Sequence, residues 1–315
     1  MRFINTFQDG DDINGVYLCK SAIIREKKNG GDYLDIKLFD RTGEVDGKVW
    51  DINGSVGDVT PGMFVRVVGK VITYNNALQL KIANVRKAEE GEYLEVDYVP
   101  ASEYNIDDMY KTLLAYVNSV TEPHLKALLE EFFVKDKEFI SKFRKSSAAK
   151  TMHHAFVGGL LEHTLSVTQN CKFFAEKYKQ LNYDLIITAA LFHDIGKTRE
   201  LTSFPSNDYS DEGNLLGHIV MGVTMLNEKL PAIPDFPKLL FDELCHCILA
   251  HHGKLEFGSP KTPAIAEAFA LNFADDLDAK METLKELFKA NSANTQLEWL
   301  GYQRSFESNI RRTKV

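Results

Sequence analysis

Along the first 85 residues, apolar and polar positions alternate in short runs broken by turns. Over 33–40, Leu34, Ile36 and Leu38 alternate with Asp35 and Lys37, the period of two that predicts a strand with one buried face. The alternation recurs at Val65-Arg66-Val67, and at Leu78, Leu80 and Ile82 with Gln79 and Lys81 between them. Asn29-Gly30-Gly31, Thr42-Gly43 and Pro61-Gly62 supply turn chemistry between the runs. Short strands at this spacing predict a small barrel. The pattern lapses over 89–106, an acidic, Tyr-rich stretch containing Pro100 that reads as a linker. Beyond it the apolar period is helical, over 107–120, 123–133, 136–145, 155–178 and 184–195, and two more helices flank Pro260 and Pro263. Segment 184–195 is apolar almost all round through Leu185, Ile186, Ile187, Ala190, Leu191 and Phe192, which predicts a helix at the centre of a bundle. The tail from 311 reads as loose. The predicted fold class is therefore multidomain, an N-terminal all-β barrel (1–88) and a linker (89–106), followed by a helical connection (107–150) and an all-α domain (151–315).

Composition changes this picture little. At 315 residues, with 44% hydrophobic and 26% charged, the chain has apolar material for two ordinary folded domains. No apolar run approaches the ~20 residues of a membrane span, and residues 1–12 lack a signal-peptide pattern, so a cytoplasmic protein without a membrane partner is expected. Cys19, Cys171, Cys245 and Cys247 have no secreted-framework spacing and read as reduced core residues. Cys245 and Cys247 flank His246, but residues two apart on a helix point to different faces. The net charge of −8 is uneven: residues 1–90 hold 13 Lys and Arg against 13 Asp and Glu, so the acidic excess lies in the remainder. Any nucleic-acid groove must be local.

The strand alternation that buries Leu34, Ile36 and Leu38 turns Tyr33, Lys37 and Phe39 to the opposite face, with Arg66, Gln79 and Lys81. Aromatic platforms among cations suit a single strand, because each base has a π-face and each phosphate attracts a cation. The segment from Gly15-Val16-Tyr17-Leu18 through Gly31-Asp32-Tyr33-Leu34-Asp35-Ile36-Lys37-Leu38 and Asp40-Arg41-Thr42-Gly43-Glu44-Val45 to Lys48-Val49-Trp50 resembles the OB-fold family of anticodon-type binding domains. That resemblance implies single-strand binding on the barrel face by Tyr33, Lys37, Phe39, Arg66 and Lys81.

The strongest chemical signal is His193-Asp194 at the end of the buried helix, in Leu191-Phe192-His193-Asp194-Ile195-Gly196-Lys197. An aspartate there is expensive unless a partner neutralises it, and a divalent cation would do so. His163 precedes the pair, and His218, His251-His252 and Asp275-Asp276 follow it; these converge only if their helices pack around one centre. Imidazole and carboxylate donors without thiolate suit Mn, Fe, Co, Ni or Zn in a catalytic rather than a structural site. Asp194 could bridge two ions, which would acidify a water held between them, as phosphoester hydrolysis requires.

This order of residues resembles the HD superfamily of metal-dependent phosphohydrolases. By that resemblance His163, His193, Asp194 and Asp275 hold the first metal, His218 and His251 complete a second site bridged by Asp194, His252 is the alternative to His251, and Lys197 contacts the scissile phosphate. Asp276 is expected to face away and Asp278 to lie on the surface. His153 and His154 stand ahead of Gly158-Gly159-Leu160-Leu161-Glu162-His163; such a pair ordinarily caps or decorates a helix start, while His154 is the one in reach of substrate or of the shell behind the metals. The two glycines would allow close packing there.

A barrel of this kind ahead of His153-His154-Ala155 and Gly158-Gly159-Leu160-Leu161-Glu162-His163-Thr164 is similar to the YhaM-type 3′-to-5′ exoribonuclease family over nearly the whole length. The resemblance implies a hydrolase with two divalent ions, manganese first and cobalt, iron or nickel as alternatives, releasing 5′-mononucleotides from single-stranded RNA, with single-stranded DNA as a further substrate. The competing readings are an HD phosphodiesterase for a small nucleotide and a non-catalytic single-strand-binding protein.

Overall fold

The computed structural model describes residues 2–27, 29–52, 54, 56–57, 59–75, 77–94, 97–98, 102–150, 154–204, 206–291 and 298–313. His153 and Pro100 therefore lie outside the described residues. The chain divides into two compact units, one built on Met1–Ala101, the other on Ser102–Ser203 and Asn207–Val315.

In the first unit, β1 (Asp12–Glu26), β2 (Asp32–Asp40), β3 (Gly43–Val49), β4 (Phe64–Tyr74) and β5 (Ala77–Lys87) close into a barrel in the order β1-β2-β3-β5-β4. Closure falls to the long β1, whose first half pairs with β4 and whose second half pairs with β2, the ladder shifting register between Cys19 and Ser21. Leu34, Ile36 and Leu38 point inward with Val65, Val67, Leu80 and Ile82, as the alternation requires. Leu78 departs from its run and is 40% exposed, because it stands at the start of β5 beyond the barrel interior. The register shift in the antiparallel β4–β5 ladder falls between Val68 and Gly69, where a Cβ on Gly69 would lie 2.6 Å from the Lys81 carbonyl oxygen.

The stretch expected as a linker is different in structure. Up to residue 98 it returns onto the barrel: Ala88 and Tyr98 bury Val16 and Leu18, and the Tyr98 hydroxyl donates to the Val16 carbonyl at 3.0 Å. Tyr93 stacks on Phe64 with centroids 3.9 Å apart. Tyr93 and Tyr98 form a second apolar layer and not a solvated spacer, whereas Tyr104 is exposed.

The second unit is helical. Its helices are α1 (Ile106–Ser119), α2 (Pro123–Glu130), α3 (Lys137–Phe143), α4 (Gly159–Lys177), α5 (Tyr183–Phe192), α6 (Lys197–Glu200), α7 (Asp211–Lys229), α8 (Lys238–Ala250) and α9 (Ala266–Ala290). Side-chain oxygens satisfy the orphan N–H groups at several starts: Asn105 for α1, Glu122 for α2, Asn182 for α5 and Ser210 for α7. The helix predicted over 123–133 ends three residues early in a single π turn, Glu131–Lys135, which still buries Phe132 and Phe133. Helix α5 occupies the middle, with Leu185 to Phe192 all buried, as its unbroken apolar pattern predicts. Helix α7 and a terminal hairpin, β6 (Trp299–Gln303) with β7 (Ser308–Arg311), had no counterpart in the sequence reading. No described helix is long and apolar enough to cross a membrane.

Candidate metal centre and strand-binding face

Five elements aim side chains at one buried point. His163 comes from α4, His193 and Asp194 from the turn after α5, His218 from α7, His251 and His252 from the end of α8, and Asp275 from α9. His163, His193, Asp194 and His251 are at most 2% exposed.

The imidazoles share one orientation. The Nδ1 of His163 meets Asp278 Oδ2 at 2.7 Å, that of His193 meets the Ala190 carbonyl at 2.8 Å, and that of His218 meets Glu200 Oε1 at 3.0 Å. His251 Nδ1 meets the Ile248 carbonyl at 2.7 Å and His252 Nδ1 the Phe257 carbonyl at 3.0 Å. In the neutral ring an oxygen acceptor at each Nδ1 fixes the proton there and leaves each Nε2 a lone pair directed away from it, the tautomer of a metal ligand.

Those lone pairs fall on two sides of one carboxylate. Around Asp194 Oδ2 stand His163 Nε2 at 3.3 Å and His193 Nε2 at 3.4 Å, with Asp275 Oδ1 3.2 Å from His163 Nε2. Around Asp194 Oδ1 stand His218 Nε2 at 3.4 Å and His251 Nε2 at 3.7 Å. Asp194 Oδ1, His218 Nε2 and His251 Nε2 are buried without a hydrogen-bond partner, and His163 Nε2 faces His193 Nε2 at 3.1 Å. Buried acceptors left unsatisfied are costly. Donor atoms bound at ~2.1 Å to one cation stand about 3.0–3.4 Å apart, so this donor set fits a divalent metal.

The charges agree. Burial alone would raise the Asp194 carboxyl, but the Lys197 ammonium, at 2.6 Å from Oδ2, and His193 hold it well below its usual range. Burial, then neighbouring His252, pushes His251 well below the ordinary imidazole value, and burial, then His218, lowers His252. Both rings are thus neutral donors. Burial works against the charged form of His163, yet Asp194, Asp275 and Asp278 raise it well above the usual value, the mark of a ring surrounded by carboxylates that a cation would neutralise.

The expectation for Asp278 is overturned. It is buried, and its carboxylate accepts from His163, from Ser166 Oγ and, at 3.1 Å, from His154 Nε2, because residues three apart on α9 share a face with Asp275. Asp276 does face out, paired with Lys280. His154 is 2% exposed and stands one residue behind the cluster, touching Asp278 and not Asp194. Its place depends on Gly159, where a Cβ would lie 2.0 Å from the His154 carbonyl oxygen. Glu200 was missed altogether; Oε1 accepts from both the backbone N–H and the Nδ1 of His218, across the kink that Gly217 makes in α7 at φ +72°. His252 joins His218 and His251: one ligand atom from each of the three lies within 4.8 Å of the others, and the His252 ring is 5.3 Å from that of His218, while His251 Nε2 faces Asp194 Oδ1 directly. Cys245 and Cys247 are buried in the core and His246 Nε2 accepts from the Ala264 N–H, away from this centre.

On the barrel the expected face divides. Tyr33 stacks on Trp50, centroids 4.9 Å apart, with Lys48 Nζ 5.6 Å from the Tyr33 ring. Lys48, Lys81 and Lys70 are cross-strand neighbours on β3, β5 and β4, so Lys81 extends a basic row beside the stack. Lys37 lies among Glu44 and Asp46, at 3.8 and 3.6 Å. Phe39 and Arg66 do not form an open platform: Phe39 packs on the Val16, Leu18 and Tyr98 cluster, and Arg66 pairs with Glu92 at 3.0 Å, because Ala88, Glu92, Tyr93 and Tyr98 lie over them.

Two family descriptions match the chain: an HD domain over residues 160–280 and an OB-fold nucleic acid binding domain over residues 21–88. The 3′-5′ exoribonuclease YhaM of Bacillus subtilis (strain 168) is 36% identical over 279 residues, covering 87% of this chain and 87% of that protein. The protein of the same name from Geobacillus sp. (strain WCH70) is 32% identical over 280 residues, covering 88% and 85%. Among solved structures, the HD domain of the L. monocytogenes phosphodiesterase PgpH covers 51% of this chain and 88% of that one at 17% identity, with a TM-score of 0.31. The second OB-fold domain of replication protein A from Methanococcus maripaludis covers 30% and 98% at 19% identity, with a TM-score of 0.24.

Proposed function

Because the chain belongs to the YhaM family of 3′-5′ exoribonucleases, with its OB-fold and HD domains, we propose that it hydrolyses single-stranded RNA from the 3′ end to 5′-mononucleotides. The observation that carries the reading is Asp194, whose two oxygens each face their own set of imidazole lone pairs. His163, His193, Asp194 and Asp275 would hold one divalent ion, and Asp194 and His218 with His251 and His252 a second. The oxygen and nitrogen donors, free of thiolate, suit manganese, with cobalt, iron and nickel as alternatives. Ions held there supply Lewis-acid stabilisation of the phosphoryl oxygens and make a coordinated water more acidic.

The chain's own residues do the rest. Lys197, whose ammonium is held charged by Asp194 despite burial, offsets charge developing on the phosphate. The Nδ1 contacts keep each ring from turning, so the donors are set before substrate arrives. Tyr33 and Trp50 stack bases and Lys81 and Lys70 meet phosphates, while Lys48, paired with Asp35, stands beside the Tyr33 ring. Base stacking and phosphate contacts serve RNA and DNA alike, so single-stranded DNA is the further substrate of this reading.

The test is incubation of the purified protein with manganese and a 5′-end-labelled RNA. Progressive shortening from the 3′ end with release of 5′-mononucleotides is expected, and a cyclic dinucleotide should remain intact. Internal cuts would overturn the polarity. Replacing His218 with Ala should lower the metal content from about two ions per chain to about one, by elemental analysis, since two-ion sites lose one position with its ligands. In the barrel, Tyr33→Ala should weaken single-strand affinity about 5- to 150-fold, the range of one stacking contact at 1–3 kcal/mol, as read by fluorescence anisotropy, with turnover at saturating RNA unchanged.

A further inference from the structure

Between α8 and α9 the chain makes a 3-10 turn, Leu255–Phe257, that is pinned on both sides. Ahead of it, Asn272 Nδ2 donates to the His251 carbonyl at 2.7 Å, and Gly253, at φ +76°, packs so tightly on Asn272 that a Cβ would lie 2.5 Å from Nδ2. Behind it, buried Ser259 directs its hydroxyl at the Leu249 and Lys261 carbonyls, at 3.0 and 2.7 Å. Yet this anchored turn presents Leu255 and Phe257 to solvent, at 66% and 61% exposure. Lys254 Nζ lies 5.1 Å from the Phe257 ring centroid and 3.4 Å from Glu256 Oε1 in a solvent-exposed pair that leaves the ammonium open to a phosphate, and the Phe257 carbonyl accepts from His252 Nδ1. The ring is thus attached through its own backbone to the metal cluster.

An aromatic face held rigidly in water, with an ammonium beside it, matches a nucleobase next to its phosphate. We infer that Phe257 and Lys254 form a nucleobase platform for a nucleotide flanking the scissile phosphodiester. The inference rests on the exoribonuclease reading. It gives the helical unit its own base-binding subsite, separate from the Tyr33 and Trp50 stack. Stacking there aligns the end of the strand, so it acts on the reaction by positioning and has no part in the chemistry itself.

The test compares the full-length protein with Phe257→Ala and Phe257→Tyr. On an intact RNA, Phe257→Ala should lower kcat/KM about 10-fold or more, within the range of one stacked base. On the same RNA lacking its last two bases, wild type and variant should be equal. Tyr should restore the intact-RNA rate, and metal content should be unchanged in both variants. Without metal, a 2-aminopurine placed at the 3′ end should be quenched by wild type and less so by Phe257→Ala. Equal loss on intact and abasic RNA would mean that Phe257 acts through His252, and no loss on either would remove the platform. A wild type that quenches the 2-aminopurine but cuts no RNA would overturn the exoribonuclease reading while leaving the platform standing.

Discussion

Asp194→Asn is expected to abolish hydrolysis, lowering kcat by about a thousandfold or more, while single-strand affinity changes by no more than a few-fold. Among the described residues the carboxylate is the one group facing both sets of lone pairs, within 3.3 to 3.7 Å of four imidazole nitrogens. An amide of the same shape offers one acceptor oxygen where there were two, and its NH2 confronts lone pairs that need a cation. Metal-ion charge stabilisation is worth several kcal/mol, and each ~1.4 kcal/mol is tenfold in rate. Strand affinity is insulated because the stack and basic row belong to the barrel. Single-turnover assays and anisotropy on one preparation decide it; a parallel collapse of affinity and turnover would end this division of labour.

Gly196→Ala should be as damaging without replacing a ligand side chain. Its Cβ would sit 1.9 Å from the His218 carbonyl oxygen and 2.8 Å from the Gly222 nitrogen, backbone atoms that no rotamer change can move aside. Overpacking ordinarily costs about 1–3 kcal/mol and occasionally more; about 3 kcal/mol or above is expected here. To make room α7 must shift, and His218 goes with it. Both a lower urea midpoint and a loss of bound metal should follow. Gly222→Ala, across the same contact, is the control: its Cβ meets nothing closer than 3.7 Å, so stability should hold or rise slightly. A Gly196→Ala protein with wild-type stability and metal content would mean the helices are not packed this closely.

The sequence made some of this legible and hid the rest for physical reasons. Strands of the barrel alternate because one face is buried, and α5 lacks any polar face because it is buried on all sides. The His and Asp ligands stand out because charged groups in apolar segments need an explanation. Asp278 did not, because 275–280 is charged at most positions and no single face declares itself; the three-residue step from Asp275 was the available signal. Glu200 gave none, since its partner is 18 residues away and meets it only through the Gly217 kink. Phe39 and Arg66 were misjudged for a related reason: strand periodicity tells which side of a strand is outside the barrel, but not whether a later segment covers that side.

That covering segment bears on how the chain can be taken apart. The last barrel strand ends at Lys87, yet Val16 and Leu18, both on β1, owe their burial to Ala88 and Tyr98. A fragment cut just after β5 would therefore have a complete hydrogen-bonded barrel and a bare greasy flank, with the Val16 carbonyl stripped of its tyrosine donor. Such a piece would be prone to self-association although no strand is missing from it. The smallest portable form of this module is set by where its second apolar layer ends, past Tyr98, and not by where its strands end.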